Sequence, residues 1–231
     1  RKGSKVEGCV VSVCDMTNAA DVAVIVEKIK PDVVFHLAGQ SSVALSWKEP
    51  ELTRAINVGG TRNLLEAVAA AKINPKILIV SSAEVYGVAK KFPTAENHPL
   101  QPVSPYGESR VEQEKVALRH FRNRGLRIII ARIFNHTGPG QPSELVCSNF
   151  AKQLADIGKN KQQPAVKVGD LTVKRDFADV RDVVNAYLLL LMKGSFGEVY
   201  NVIFRTLSKF VFGHTATMES CLSAAQKKLS T

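Results

Sequence analysis

The pattern that most constrains this chain is the alternation of short β-branched runs with longer stretches of helical period. Val10-Val11-Ser12-Val13, Val33-Val34-Phe35-His36-Leu37, Ile77-Leu78-Ile79-Val80 and Ile128-Ile129-Ile130-Ala131 read as fully buried strands, as in a parallel sheet covered on both sides. Helical periodicity fills the intervals, over Ala19 to Lys30, Leu52 to Ala71 and Tyr106 to Arg124. Strand and helix in turn predict a doubly wound α/β domain. Pro31-Asp32, Asn74-Pro75 and Arg124-Gly125 stand at the turns from helix to strand, where chain breakers are expected.

After Arg132 the pattern changes. Phe134 to Pro142 is rich in Gly and Pro, and Phe150 to Ile157 and Val180 to Met192 read as two further helices. This predicts a core over 1–135 and a smaller region over 136–231, with the helix at 180–192 packing back on the core and 205–231 unassigned. A chain of 231 residues suits one large domain or a domain and a half. The 31 Lys and Arg against 21 Asp and Glu leave a net charge of +10, which favours anionic partners. The densest basic cluster, Arg119-His120-Phe121-Arg122-Asn123-Arg124, closes a predicted helix, where cations complement the helix dipole. Nucleic acid is therefore not the expected partner. No apolar run reaches the roughly 18 residues of a membrane span, and no apolar segment follows Arg1-Lys2-Gly3-Ser4 as in a signal peptide. Cys9, Cys14, Cys147 and Cys221 form no CxxC pair, and the five histidines show no ligand spacing. A cytoplasmic, reduced, metal-free protein without membrane contact is expected.

In open parallel sheets, ligands bind beyond the C-terminal ends of the strands. Those ends are small or polar here: Asp15, Ala38-Gly39-Gln40, Ser81-Ser82-Ala83-Glu84-Val85-Tyr86-Gly87 and Phe134-Asn135. Ser82 follows a buried run, so its hydroxyl is expected in the crevice. Ser104 and Pro105 form a helix start, and Tyr106 and Arg110, four apart, share a helix face. A fixed cation beside a phenol stabilises the phenolate, which makes Tyr106 a candidate proton donor or acceptor, with Ser82 binding the same substrate oxygen.

Taken together and in order, these segments resemble the extended short-chain dehydrogenase/reductase superfamily, the NAD-dependent epimerases and dehydratases of nucleotide sugars. The segments are Asp15, His36-Leu37-Ala38-Gly39-Gln40, Asn57-Val58-Gly59-Gly60-Thr61, Ser81 to Gly87, Pro105 to Arg110, Ala131 to Asn135 and Arg175 to Asp182. The resemblance implies a Rossmann-like fold and an NAD(P)-dependent oxidoreductase, with NAD or NADP left open. It implies that Ser82, Tyr106 and Arg110 are catalytic and that Asp15 and Met16 contact the adenine. Leu37, Ala38, Gly39 and Gln40 would line the cofactor ribose and diphosphate, with Tyr106 and Arg110 also on the cofactor and Asn57 supporting the site. Asn135 and Arg175 would hold the diphosphate of a sugar nucleotide, with Ser82 and Glu84 at its sugar.

Phe134-Asn135-His136-Thr137-Gly138-Pro139-Gly140-Gln141, joined with Val168-Gly169-Asp170-Leu171, is similar to the GDP-4-keto-6-deoxy-D-mannose reductases and the GDP-mannose 4,6-dehydratases. That similarity implies a GDP-sugar substrate. Reduction of its C4 ketone to GDP-D-rhamnose is the first expectation. GDP-mannose 4,6-dehydration, or another nucleotide-sugar epimerase or dehydratase reaction, stands as the alternative, with Glu84 where a dehydratase places its base. Homodimerisation would use the helices at 52–71 and 106–124. Two departures favour a different class, an impaired relative that binds a nucleotide sugar or a partner protein without turnover. Arg110 stands where the family has Lys, and no Gly-rich phosphate loop such as GxGxxG is present. After Tyr200-Asn201-Val202 the sequence continues Ile203-Phe204-Arg205 in place of a Gly-rich segment. A scaffold lacking its first βαβ unit and part of its substrate lobe is therefore expected.

Overall fold

The computed structural model describes residues 7–89, 93–169 and 176–203. In chain order it contains α1 (Ala19–Ile29), β1 (Val33–His36), α2 (Val43–Lys48), α3 (Pro50–Arg54), α4 (Gly60–Ala70), β2 (Lys76–Ser82) and α5 (Pro105–Arg124). These are followed by β3 (Arg127–Ile133), β4 (Asn135–Thr137), α6 (Val146–Gly158), β5 (Phe177–Asp179), α7 (Val180–Lys193) and β6 (Val199–Val202). The main sheet has the order β1-β2-β3-β6. β1 and β2 run parallel, with Val33 opposite Lys76 and His36 opposite Ile79. The described residues divide into two compact units, one through Arg132 together with Leu189–Asn201, the other over Ile133–Leu188 with Val202 and Ile203.

In the first unit, α1 starts at Asn18, whose side-chain oxygen accepts from Ala20 N at 3.0 Å. It ends at Lys30 in the left-handed region, immediately before Pro31. One face of the sheet is sealed by α1, α4 and α5. Val22, Val26, Leu64, Leu65, Val68, Val116 and Ala117 pack there on Ile77, Ile79, Ile128 and Ile130. On the opposite face Leu78 and Ile129 are fully buried.

Three expectations change. Val10 to Val13 is exposed and forms no strand, because an extended segment becomes a strand only when a neighbour supplies ladder hydrogen bonds, and no described residue does so. β1 is not buried on both faces: Val33 and Phe35 are exposed, as is the following Leu37, whereas His36 is buried. β1 is outermost among the described strands, and the packed helices cover only the side that His36 faces. The helix expected over 52–71 begins earlier, at Pro50 after Glu49, and is interrupted by a wide turn of π type over Ala55–Gly59. That turn is held by tertiary bonds of Asn57, described below. In the second unit, β4 pairs in parallel with β5, and α6 buries Phe150 and Leu154. No helix among the described residues is long and apolar enough to cross a membrane.

Candidate active site

The end of β2 and the first turn of α5 are locked together by glycines. Ser82 closes β2 in extended conformation, and its Oγ accepts from Glu84 N at 3.2 Å. A single tight turn over Ala83–Tyr86 follows and leaves at Gly87 with φ 62°. A Cβ at Gly87 would overlap the Gln101 carbonyl oxygen, so only glycine fits. A Cβ at Gly107 would lie 2.7 Å from the Glu84 carbonyl oxygen and 2.9 Å from Pro102 Cβ. The absence of a side chain there lets α5 start directly on the Ser82–Glu84 turn. Ser104 Oγ caps that start by accepting from Gly107 N at 3.1 Å. Ser82, Tyr106 and Arg110 are all buried, and Glu84 is exposed at the strand end.

Arg110 lies over Tyr106, with its guanidinium carbon 5.1 Å from the ring centroid. Its Nη1 donates to Gln113 Oε1 at 2.8 Å and to Val80 O at 3.2 Å, and its Nη2 to Gln40 O at 3.4 Å. Its buried Nε has no partner among the described residues. The turn after β1 passes close over this fork: a Cβ at Gly39 would meet Arg110 Nη2 at 2.8 Å and Asn57 Oδ1 at 3.0 Å.

Asn57 ties the parts together. Its oxygen accepts from Gln40 N at 2.8 Å, and its nitrogen donates to Gln40 O at 3.1 Å and to Ser109 Oγ at 2.9 Å. The Asn57 amide is thus fully engaged by protein groups. Gln40 is tied likewise, donating from Nε2 to Ser42 O and Thr53 Oγ1, both at 2.9 Å. Of the other candidate cofactor residues, Leu37, Ala38 and Gly39 are exposed. Asp15 is exposed too, its carboxyl held below the usual range by hydrogen bonds from the Thr17 N–H and hydroxyl. Met16 is half-buried; its carbonyl accepts from Asn63 Nδ2 at 2.9 Å, and a Cβ at Gly60 would approach its Cβ to 3.0 Å. Asn135 is exposed at the start of β4, opposite Phe177, in the second unit. Arg175 lies outside the described residues.

A buried N–H donor without a partner, beside an exposed glycine turn at a strand end, suits a ligand rich in acceptor oxygens. The ribose of a dinucleotide is such a ligand, so the residues present fit NAD(P).

Two buried groups of side chains were missed by the sequence reading. In the first, Gln113 Nε2 donates to Thr61 Oγ1 at 2.8 Å, and His36 Nε2 meets the same oxygen at 2.8 Å. Burial and the Arg110 charge lower the His36 imidazole from 6.5 to about 4. In the second, Arg132 Nε and Nη2 contact Glu114 Oε1 and Oε2 at 2.9 and 2.6 Å, and Ser81 Oγ donates to Glu114 Oε1 at 2.6 Å. Burial pulls the Arg132 guanidinium down, but its bonds and charge contact with Glu114 and Tyr86 outweigh this and leave it above its ordinary range. One signal was available. Tyr106, Arg110, Gln113 and Glu114 share a helix face at the spacing where an apolar stripe would be expected.

Over residues 3–228 the chain matches the family model described as GDP-mannose 4,6 dehydratase. The chain belongs to the GDP-mannose 4,6 dehydratase family. It is 41% identical over 174 residues to the GDP-6-deoxy-D-mannose reductase of Pseudomonas aeruginosa, an alignment covering 74% of this chain and 57% of that protein. It is 27% identical over 181 residues to a GDP-mannose 4,6-dehydratase of Vibrio cholerae, covering 78% of this chain and 48% of that protein. The chain therefore spans about half the length of these relatives. Among solved structures it resembles that of RMD from Pseudomonas aeruginosa complexed with NADPH, with a TM-score of 0.81 and 38% identity over 84% of this chain and 67% of that one. It also resembles a UDP-glucose 4-epimerase from Thermotoga maritima with UDP-glucose, with a TM-score of 0.82 and 27% identity over 99% of this chain and 72% of that one. The Rossmann-like fold of the extended short-chain dehydrogenases is thereby shown for this family member.

Proposed function

We propose that the chain carries the cofactor site and proton-transfer residues of an NAD(P)H-dependent nucleotide-sugar reductase. Its substrate would be GDP-4-keto-6-deoxy-D-mannose and its product GDP-D-rhamnose. The observation that carries this reading is the buried Tyr106–Arg110 pair beside Ser82, with Arg110 Nε left as a donor that has no partner among the described residues. The 41% identity to a reductase, against 27% to a dehydratase, favours reduction.

NAD(P)H, when bound, would supply the hydride for reduction of the C4 ketone. The chain's own residues handle the oxygen: Tyr106 gives its hydroxyl proton to the developing alkoxide. Ser82 Oγ already accepts from Glu84 N, which leaves the serine's own hydrogen free to donate to the same oxygen. Arg110 would hold the cofactor ribose through Nε–H, and the turn at Leu37, Ala38 and Gly39 would line the ribose and diphosphate, with Asp15 and Met16 towards the adenine. Asn135 and Arg175 are proposed for the diphosphate of the sugar nucleotide. Glu84, exposed at the strand end, supports dehydration as the second reading, with its carboxylate as base at C5.

NADPH and NADH binding followed by fluorescence, and ketosugar reduction followed by product chromatography, test the proposal. Tyr106→Phe is expected to lower turnover by roughly 10²- to 10⁴-fold, as for loss of a general acid, while cofactor affinity stays within about threefold. Cofactor binding without any reduction by the parent would instead identify an impaired relative that only binds.

A further inference from the structure

We propose that Gln113 is the positioning residue for Arg110, and that positions 110 and 113 form a matched pair: Gln113 clamps the guanidinium against Tyr106 and leaves Nε–H free for a ligand oxygen. The use of that Nε–H by a cofactor rests on the function proposed above; the clamp itself does not.

The orientation of Gln113 is forced by its neighbours. Thr61 has one hydroxyl hydrogen, and it goes to the Asn57 carbonyl at 2.7 Å, which can only accept. Thr61 Oγ1 must therefore accept from both Gln113 Nε2 and His36 Nε2. With its nitrogen committed to Thr61, the wholly buried Gln113 amide can turn only its oxygen towards Arg110, and it receives Nη1 at 2.8 Å. A flipped amide would set an NH₂ against a cation and would leave Thr61 facing an oxygen.

The clamp suits arginine and not lysine. Nη1 spends both hydrogens, on Gln113 Oε1 and Val80 O. A lysine ammonium on the same backbone reaches about as far as the guanidinium carbon, one bond short of Nη1. It would leave the Gln113 oxygen buried without a donor, which is costly. Arg110→Lys, which would recreate the more familiar Tyr-xxx-Lys spacing, should therefore impair this chain as long as Gln113 remains.

The test uses protein labelled with ¹⁵N-arginine. In the parent, rotation of the Arg110 guanidinium about Nε–Cζ is expected to be slow, with separate Nη1 and Nη2 signals. Gln113→Glu keeps the acceptor and should keep them separate, whereas Gln113→Met should average them. In NADPH titrations, Arg110→Lys should weaken binding about tenfold in the parent, and by less than about threefold in the Gln113→Met background, as expected for coupled residues. Rotation equally restricted in the parent and in Gln113→Met, or an equal effect of Arg110→Lys in both backgrounds, would overturn the proposal. Failure of the parent to bind either nicotinamide nucleotide would overturn the proposed function, and the arginine signals would still decide the clamp.

Discussion

Lowering the pH from 7 towards 4 should destabilise the protein through His36. The imidazole is 4% exposed and held at about 4, against 6.5 for an ordinary histidine, first by burial and then by the Arg110 charge. The folded state thus keeps His36 neutral through a range in which the unfolded chain takes up a proton. Where the unfolded state binds more protons, stability rises with pH, so it falls as pH drops from about 6.5 to about 4 and then levels off. At about 1.4 kcal/mol per tenfold difference in proton affinity, the full loss is roughly 3 kcal/mol, of which about 2 kcal/mol is reached by pH 5. Urea unfolding at half-unit pH steps measures this directly. His36→Gln keeps an N–H donor for Thr61 and removes the titration, so subtracting its curve removes every other group that titrates in the window. The depressed carboxyls of Asp15 and Asp179 act elsewhere: their contribution is lost only as pH falls below about 4. Parallel stability curves for parent and His36→Gln between pH 7 and 4 would refute the assignment.

Glu114→Gln must place an amide nitrogen against one of the two Arg132 donors and leaves the buried guanidinium uncompensated. Unfolding free energies should fall by about 3–5 kcal/mol, and Glu114→Leu with Arg132→Met should recover much of that loss. Gly87→Ala and Gly125→Ala both alter glycines with positive φ, but only Gly87 faces an atom that cannot yield. Gly125 caps α5 in open space and should cost about 1 kcal/mol in thermal unfolding, whereas Gly87→Ala should cost several-fold more. A saturating cofactor should raise the unfolding free energy by about 2.7 kcal/mol at a hundred times its Kd, a gain that a calorimeter would find sharply reduced in Arg110→Lys.

Much of the frame was legible because its signals are local. The Ile-rich runs of β2 and β3, the Ser104 cap and the Gly125 stop each act within a few residues, and Ser82 and Tyr106 stand at the strand end and the helix start where they were expected. What was not legible depends on neighbours. Val10 to Val13 has a strand's composition and no partner to pair with, and Val33 and Phe35 lie uncovered on β1. The wide turn at Ala55–Gly59 exists because Asn57 is drawn to Gln40 and to Ser109, 52 residues away. The burial of Gln113 and Glu114 depends on Thr61 and Arg132, and the spacing along one helix face does not name such partners.

Those two residues explain how one helix serves two buried arginines differently. Glu114 meets Arg132 with a bidentate carboxylate, and that charge is neutralised inside the protein. Gln113, one position earlier, meets Arg110 with a neutral amide, and the other acceptors are backbone carbonyls of Val80 and Gln40. Among the described residues no carboxylate pairs with Arg110. A buried cation solvated only by dipoles is costly, and the same uncancelled charge helps keep His36 neutral. A carboxylate at 113 would relieve that cost, but it would also weaken the site's positive field for a phosphate-bearing ligand. The neutral clamp keeps the geometry of an ion pair without its cancellation, which is why Arg110 and not Arg132 is the arginine left with charge and an N–H to offer.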